Sequence, residues 1–192
     1  MALNDNAVIT PAVGYIYTAA VDTASPTPAQ IEAFDPDTGF VGWTQLGHTS
    51  RDDLPVFGFD GGDAEVKGTW QNASFKRVVT EVVQDFVTFN ALQLDETILT
   101  YYTGETSPGS TVGKFDVNSA STSGVDVAFL VVIVDGTATV GFHASKVTMS
   151  REDSIELAVD DFVAVPLRAT ILKSGSNPLY SWLGYDTGVN LT

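Results

Sequence analysis

Two histidines, His48 and His143, are the side chains of this sequence best suited to moving a proton near neutral pH. A nucleophile–histidine–acid triad would need an exposed serine at a sharp turn, and no G-x-S-x-G elbow is present. Each histidine falls in a β-forming stretch and reads as a satisfied strand residue rather than a catalyst. Cysteine is absent, so thiolate metal sites and disulfides are excluded, and two histidines are too few to suggest zinc or iron. Glu152, Asp153, Glu156, Asp160 and Asp161 gather five carboxylates, and a pair of carboxylates could hydrolyse a glycosidic bond. Nothing distinguishes an acid from a base among them, so a solvated or lumen-facing acidic surface is the preferred reading. Calcium is the cofactor worth weighing. Asp35-Pro36-Asp37-Thr38-Gly39 and Asp60-Gly61-Gly62-Asp63-Ala64-Glu65 set oxygen ligands beside glycines, but neither completes a twelve-residue loop with its terminal bidentate Glu. Turns that cap their own backbone explain both runs. No phosphate-cradling glycine motif occurs. No catalytic residue, metal site or cofactor is expected, and the chain is not expected to be an enzyme.

Composition points the same way. Twenty-four Asp and Glu against nine Lys and Arg give a formal net charge of −15 on 192 residues. Phosphate backbones and anionic membranes are held by clustered cations, so this chain should not grip either, although DNA could slide past it. Hydrophobic residues make up 44% of the sequence, enough for a packed core in a single domain. The apolar run at 125–134 is roughly half the length of a membrane-crossing helix and carries Asp126, so it reads as a buried strand. The polar start, residues 1–6, does not suggest a signal peptide, and no membrane insertion is expected.

The elements that would position these residues are mainly strands, from the abundance of Val, Thr, Phe, Tyr and Ile between glycine-centred turns. Residues 13–21 read as a first strand and 41–48 as a second. Between them lies a proline-rich excursion, 25–39, with a short helical turn around 29–33. Residues 49–70 suggest a long extended hairpin with a glycine-rich tip at 60–63. So long a loop normally has a function, and its Phe57, Phe59 and Trp70 argue against disorder. Residues 75–94 read as two strands or one long bent one. The best helix is 95–103: Asp95 suits the N-cap, Gly104 the C-terminal position, and Ile98, Leu99 and Tyr102 share a face. Residues 105–124 form a surface loop. The clearest hairpin runs from 127–134 through a type I′ signal at Asp135-Gly136 into 137–149. A last antiparallel stretch spans 154–173, with Ile155, Leu157 and Val159 on one face and Glu156 and Asp160 on the other. Beyond Phe162, Val163, Val165, Leu167, Ala169 and Ile171 should face the core. The tail, 174–192, carries aromatic anchors, Tyr180, Trp182 and Tyr185, suited to docking on a neighbour. Long arms, aromatic residues within them and β edges in need of cover together favour self-assembly.

The opening MALNDNA, then VGYIYTA, GHTSRDDLPVFGFDGGDAEVKGTWQN, VVIVDG, GFHASKVTMSREDSIEL and FVAVPLRATILKSG keep the order of segments seen in one family. With them the chain resembles the major tail (tail tube) proteins of long non-contractile phages, above all those infecting mycobacteria and related actinobacteria. The resemblance spans nearly the whole chain, and GHTSRDDLP and GGDAEVKGTWQN are its most specific parts. It implies a tail-tube fold: two packed antiparallel sheets in a sandwich or barrel, one short flanking helix and a long extended loop. It implies one domain, 1–192, with an N-terminal arm 1–12, an inter-ring or inter-subunit loop 49–70 and a C-terminal tail 174–192, and no added immunoglobulin-like domain. It further implies hexameric rings stacked into a tube, assembled in the host cytoplasm, through which double-stranded DNA passes unbound. Tape-measure, terminator and distal tail proteins are the implied partners. The interface residues would be Arg51, Asp52, Asp53, Leu54, Phe57, Phe59, Asp63, Glu65, Lys67 and Trp70, with Glu156 and Asp160 as candidates for an acidic lumen. Two rival readings are a β-sandwich module binding carbohydrate or cell wall through calcium at the Asp35 or Asp60 turns, and an enzyme resting on the 152–161 carboxylates.

Overall fold

The computed structural model describes residues 8–105, 111–119, 123–136 and 138–184. The central pair of strands is written most plainly in the sequence. β7 (Val125–Asp135) and β8 (Ala138–Arg151) form an antiparallel hairpin in which Asp135 pairs with Ala138. The turn therefore falls one residue later than the Asp135-Gly136 signal implied. Both faces of β7 are covered. Phe129 and Val131 join one core cluster, while Leu130 and Val132 join another on the opposite face. Cover on both faces is why the run is continuously apolar instead of alternating.

Around this pair the main sheet runs β2 (Thr44–Gln45), β1 (Val13–Ala19), β7, β8, β9 (Val165–Ile171), β6 (Gln84–Ala91), β3 (Val56–Asp60), all antiparallel. β8 is long enough to carry two partners on one edge: β9 along Val147–Arg151 and β10 (Ser181–Gly184) along Val140–His143. The path does not close as a regular barrel, yet one segment ties its ends. Leu46 N–H donates to Ile16 C=O on β1, and two residues later His48 C=O accepts from Leu92, just past β6, both at 2.9 Å. The expected second strand is therefore regular over only two residues, because the chain divides its bonds between two edges. The second sheet consists of β4 (Ala64–Thr69) and β5 (Asn72–Val79) alone. The expectation of a mainly β fold with two antiparallel sheets holds, with the sheets very unequal in size.

Two helices flank the main sheet. α1 (Pro28–Glu32) is the short turn expected near 29–33. Thr27 caps it, accepting from the Gln30 backbone while the Gln30 side chain returns to the Thr27 N–H, and Ile31 is fully buried. α2 (Glu96–Thr103) has Asp95 as N-cap, bonded to Ile98 N–H, and Gly104 as C-cap. Its deepest residues are Ile98 and Tyr101, not Tyr102. The i, i+3 pair faces the sheet, and the Tyr101 hydroxyl donates to Thr18 Oγ1 at 3.1 Å in the interior.

Two expectations fail in instructive ways. The stretch 154–173 is a strand only from Val165. Leu157, Val159 and Phe162 are exposed on an irregular segment, so the alternation around them reflects no buried face. The tail contacts its own body: Tyr180 and Trp182 pack on Phe142 with ring centroids 5.4 and 5.0 Å away. Tyr185, most of the N-terminal arm and part of the 105–124 loop lie outside the described residues.

Candidate assembly surface

Residues 56–91 form one long hairpin broken in the middle. Its lower half is the β3–β6 ladder, ending where Asp60 pairs with Gln84, and its upper half is the β4–β5 ladder, beginning where Ala64 pairs with Val79. Asp63 C=O accepts from both the N–H and the hydroxyl of Thr80 at the base of the upper half. Gly61 and Gly62, with φ of 76° and 80°, make the joint between the halves. A side chain at Gly61 would strike the Val82 carbonyl 2.4 Å from its Cβ, so both conformation and space demand glycine. The glycines are therefore the joint, not the tip, and the tip is Trp70-Gln71. The expected boundary at Trp70 consequently covers only one leg of the arm.

The lower half belongs to the body. Gly58 leaves room for the Phe86 ring, which would lie 2.6 Å from a Cβ there. Arg168 sits over the Phe86 ring, its guanidinium carbon 3.6 Å from the ring centroid. Arg168 also pairs with Asp60 and, at 3.3 Å, with Glu152, so one cation from β9 holds β3, β6 and the end of β8 together. Phe57 packs edge-on against Phe142 and tilted against Trp182, with centroids 4.8 and 5.1 Å away.

The upper half stands clear of it. Val66, Trp70, Phe75 and Val79 are all exposed, Trp70 at 99%. In the ladder register Val66, Arg77, Phe75 and Val79 share one face, and Glu65, Lys67, Lys76 and Val78 the other. A lone two-stranded hairpin is marginal in water, so this one presents two unpartnered faces at a cost to itself.

The expected interface residues thus separate into groups. Arg51, Asp52, Asp53 and Leu54 are exposed ahead of β3, where Asp53 accepts the Asn90 amide at 3.3 Å. Phe57 is engaged by the body, whereas Phe59 is exposed on β3. Asp63 anchors the arm, and Glu65, Lys67 and Trp70 lie along it, the first two 3.7 Å apart. The sequence reading missed the returning leg, Phe75, Lys76, Arg77 and Val79. A run mixing cations and apolar residues carries no inside–outside signal when neither side is inside. Glu156 and Asp160 lie exposed on the irregular 152–164 segment rather than on a strand face.

His143, Asp35 and Asp60 are tied into the fold. His143 is buried against the Trp43 ring, and its Nε2–H donates to Thr23 C=O at 3.2 Å. Burial holds its pKa below the usual imidazole value. His48 is exposed, and its backbone N–H donates to Gln93 Oε1. Asp35 caps Asp37 N–H at 3.0 Å, and Asp60 is bound to Arg168, so the acidic turns spend these oxygens on their own chain. Among the described residues no cluster of His, Asp and Glu has metal-binding geometry. Among the described residues no helix is long and apolar enough to cross a membrane.

Comparison with known proteins gives the arrangement its context. Residues 1–192 match the phage tail tube protein family. The major tail protein Gp23 of Mycobacterium phage L5 is 45% identical over 191 residues, covering 97% of this chain and 95% of that protein. Gp23 of Mycobacterium phage D29 is 44% identical over the same coverage. A whole-length match of this kind shows that the chain belongs to the phage tail tube protein family, a structural component of the virion tail.

Proposed function

We propose that copies of this chain form hexameric rings that stack into a tail tube and conduct double-stranded DNA into the host, with the β4–β5 hairpin as the contact between rings. The observation that carries this reading is the hairpin itself. One face bearing Val66, Phe75 and Val79, with Trp70 at the tip, is left exposed by its own subunit, and such a face belongs against another copy. Ring closure would also cover the β edges left by the open strand order. The net charge of −15 favours a bore from which phosphates are repelled, with Glu156 and Asp160 among the carboxylates that could line it. Tape-measure, terminator and distal tail proteins are the further partners, and assembly takes place in the host cytoplasm before the tube joins the virion.

The test is replacement of residues 64–79 by a short Gly-Ser linker, followed by negative-stain microscopy and thermal unfolding. The reading expects tubes from the intact chain and a folded, tube-free subunit from the variant. Tubes from the variant, or a monomeric intact chain at every concentration and ionic strength, would overturn it. A deletion of 52–67 would be a poor substitute, because it removes β3 from the main sheet.

A further inference from the structure

We propose that the β4–β5 hairpin of one copy docks, by opposite charge, on an acidic cleft of the next copy between Asp53 and Asp153; this rests on the assembly reading above. The charge of the chain is sharply divided. Residues 64–79 hold Lys67, Lys76 and Arg77 against the single acid Glu65. The hairpin therefore carries +2 on a chain whose total is −15, which leaves −17 on the remainder. Within the ladder Lys67 stands directly opposite Lys76. Like charges so placed repel; Glu65, 3.7 Å from Lys67, offsets one of them, and anions from another copy would relieve the rest.

Among the described residues the body offers a cleft of matching character. A cavity of about 340 Å³ is lined by Asp53, Leu54, Val56, Asn90, Glu152 and Asp153, among others. Glu152 is engaged by Arg168. Asp53 accepts the Asn90 amide and Asp153 the Ser154 N–H, neutral donors that leave both negative charges in place. The segment that leaves the cleft lining after Asp153 and rejoins it at Pro166 exposes Leu157, Val159 and Phe162, apolar residues of the same kind as the Val66–Phe75–Val79 face. A larger apolar cleft of about 530 Å³, between residues 9–16 and 49–57, is lined by Arg51 and no carboxylate, so it does not match a basic arm.

Topology makes the contact head-to-tail. The hairpin leaves the β3–β6 ladder at its Asp60–Gln84 end, while the cleft lies at the Val56–Asn90 end of the same two strands. An arm extending roughly 20 Å beyond one end points away from its own seat and toward that of a neighbour displaced along the strands. Arm and seat are different surfaces, so the contact is heterologous, and with the neighbour displaced along the strands it repeats as an open stack.

The test uses charge reversal in the full chain. K67E/K76E/R77E and D53K/D153K should each fold with the intact thermal midpoint, yet need a protein concentration about tenfold or more higher to form tubes. An equimolar mixture of the two should restore tube formation, because each arm then meets a seat of opposite sign. Added sodium chloride should weaken assembly of the intact chain. If K67E/K76E/R77E assembles at the intact chain's concentration, or the mixture does no better than either variant alone, this seat is wrong. Should removal of the hairpin still abolish tubes in that case, the assembly reading stands and only the seat falls. Should a reversed variant fail to fold, K67Q/K76Q/R77Q and the salt titration carry the test. Assembly indifferent to both would overturn the proposal.

Discussion

The β7–β8 and β4–β5 hairpins have the same antiparallel pairing and opposite surroundings. In the first, Phe129, Leu130, Val131 and Val132 are shut away from water on both faces. In the second, residues of similar type stand in solvent, with Trp70 at the tip. Backbone pairing is common to both, so it does not explain why one holds the molecule together and the other does not. Buried apolar area does, at roughly 25 cal/mol per Å². What the second hairpin leaves exposed is available to another subunit.

The sharpest test of that contrast is Phe129→Ala. Phe129 is fully buried beside Phe89, with centroids 5.8 Å apart, and its removal should destabilise the subunit by about 3–5 kcal/mol in denaturant titrations. A cost below about 1 kcal/mol would mean that the body is not the seat of stability. The junction between the two regions comes next. Arg168→Met keeps the stem but loses the ion pairs with Asp60 and Glu152 and the stack on Phe86, which should cost about 1–2 kcal/mol. No measurable loss would mean that β3 is held by its ladder and by Phe57 alone.

A smaller effect comes from the body's buried histidine. Because burial lowers the pKa of His143, the unfolded chain takes up its proton first as pH falls through the ordinary imidazole value of 6.5. Stability should therefore decline from there toward the folded pKa, and above the ordinary value this group should have no effect. His143→Gln should flatten that part of the curve in thermal melts across pH, and an unchanged slope would assign the loss to carboxylates. The least effect on folding is expected at the tip. Trp70→Ser should shift stability by no more than about 0.5 kcal/mol while impairing tube formation seen by microscopy. A large drop in melting temperature would erase the contrast between the hairpins.

The same contrast explains what could be read in the sequence. β7, β8, β9 and α2 were legible because burial imposes a pattern: a continuous apolar run, alternation through Val165, Leu167, Ala169 and Ile171, and caps at Asp95 and Gly104. Where nothing is buried, the pattern misleads. Ile155, Leu157 and Val159 alternate like a strand but lie on an irregular segment, and of the three only Ile155 packs on the core. Gly61-Gly62 resembled a hairpin tip because glycine marks backbone conformation, which a joint needs as much as a turn. The true tip, Trp70-Gln71, has no turn signature, and so the returning leg with Lys76 and Arg77 escaped notice. Arms, aromatic residues and β edges favoured self-assembly, and the family resemblance added the expectation of stacked rings.

The jointed hairpin also sets how the subunit bears load. Its two legs enter β3 and β6, which are neighbours in the main sheet, so a pull on the tip draws both strands the same way and does not slide one past the other. Sliding is resisted one strand further in, where β6 lies along β9 from Phe86–Thr170 to Ala91–Val165. Arg168 stands on β9 and grips Asp60 on β3 and the Phe86 ring on β6, across that very seam. Tension arriving from an adjoining copy would thus be shared along a row of hydrogen bonds strained together, with a cation as the rivet, instead of unzipping the sheet from its edge.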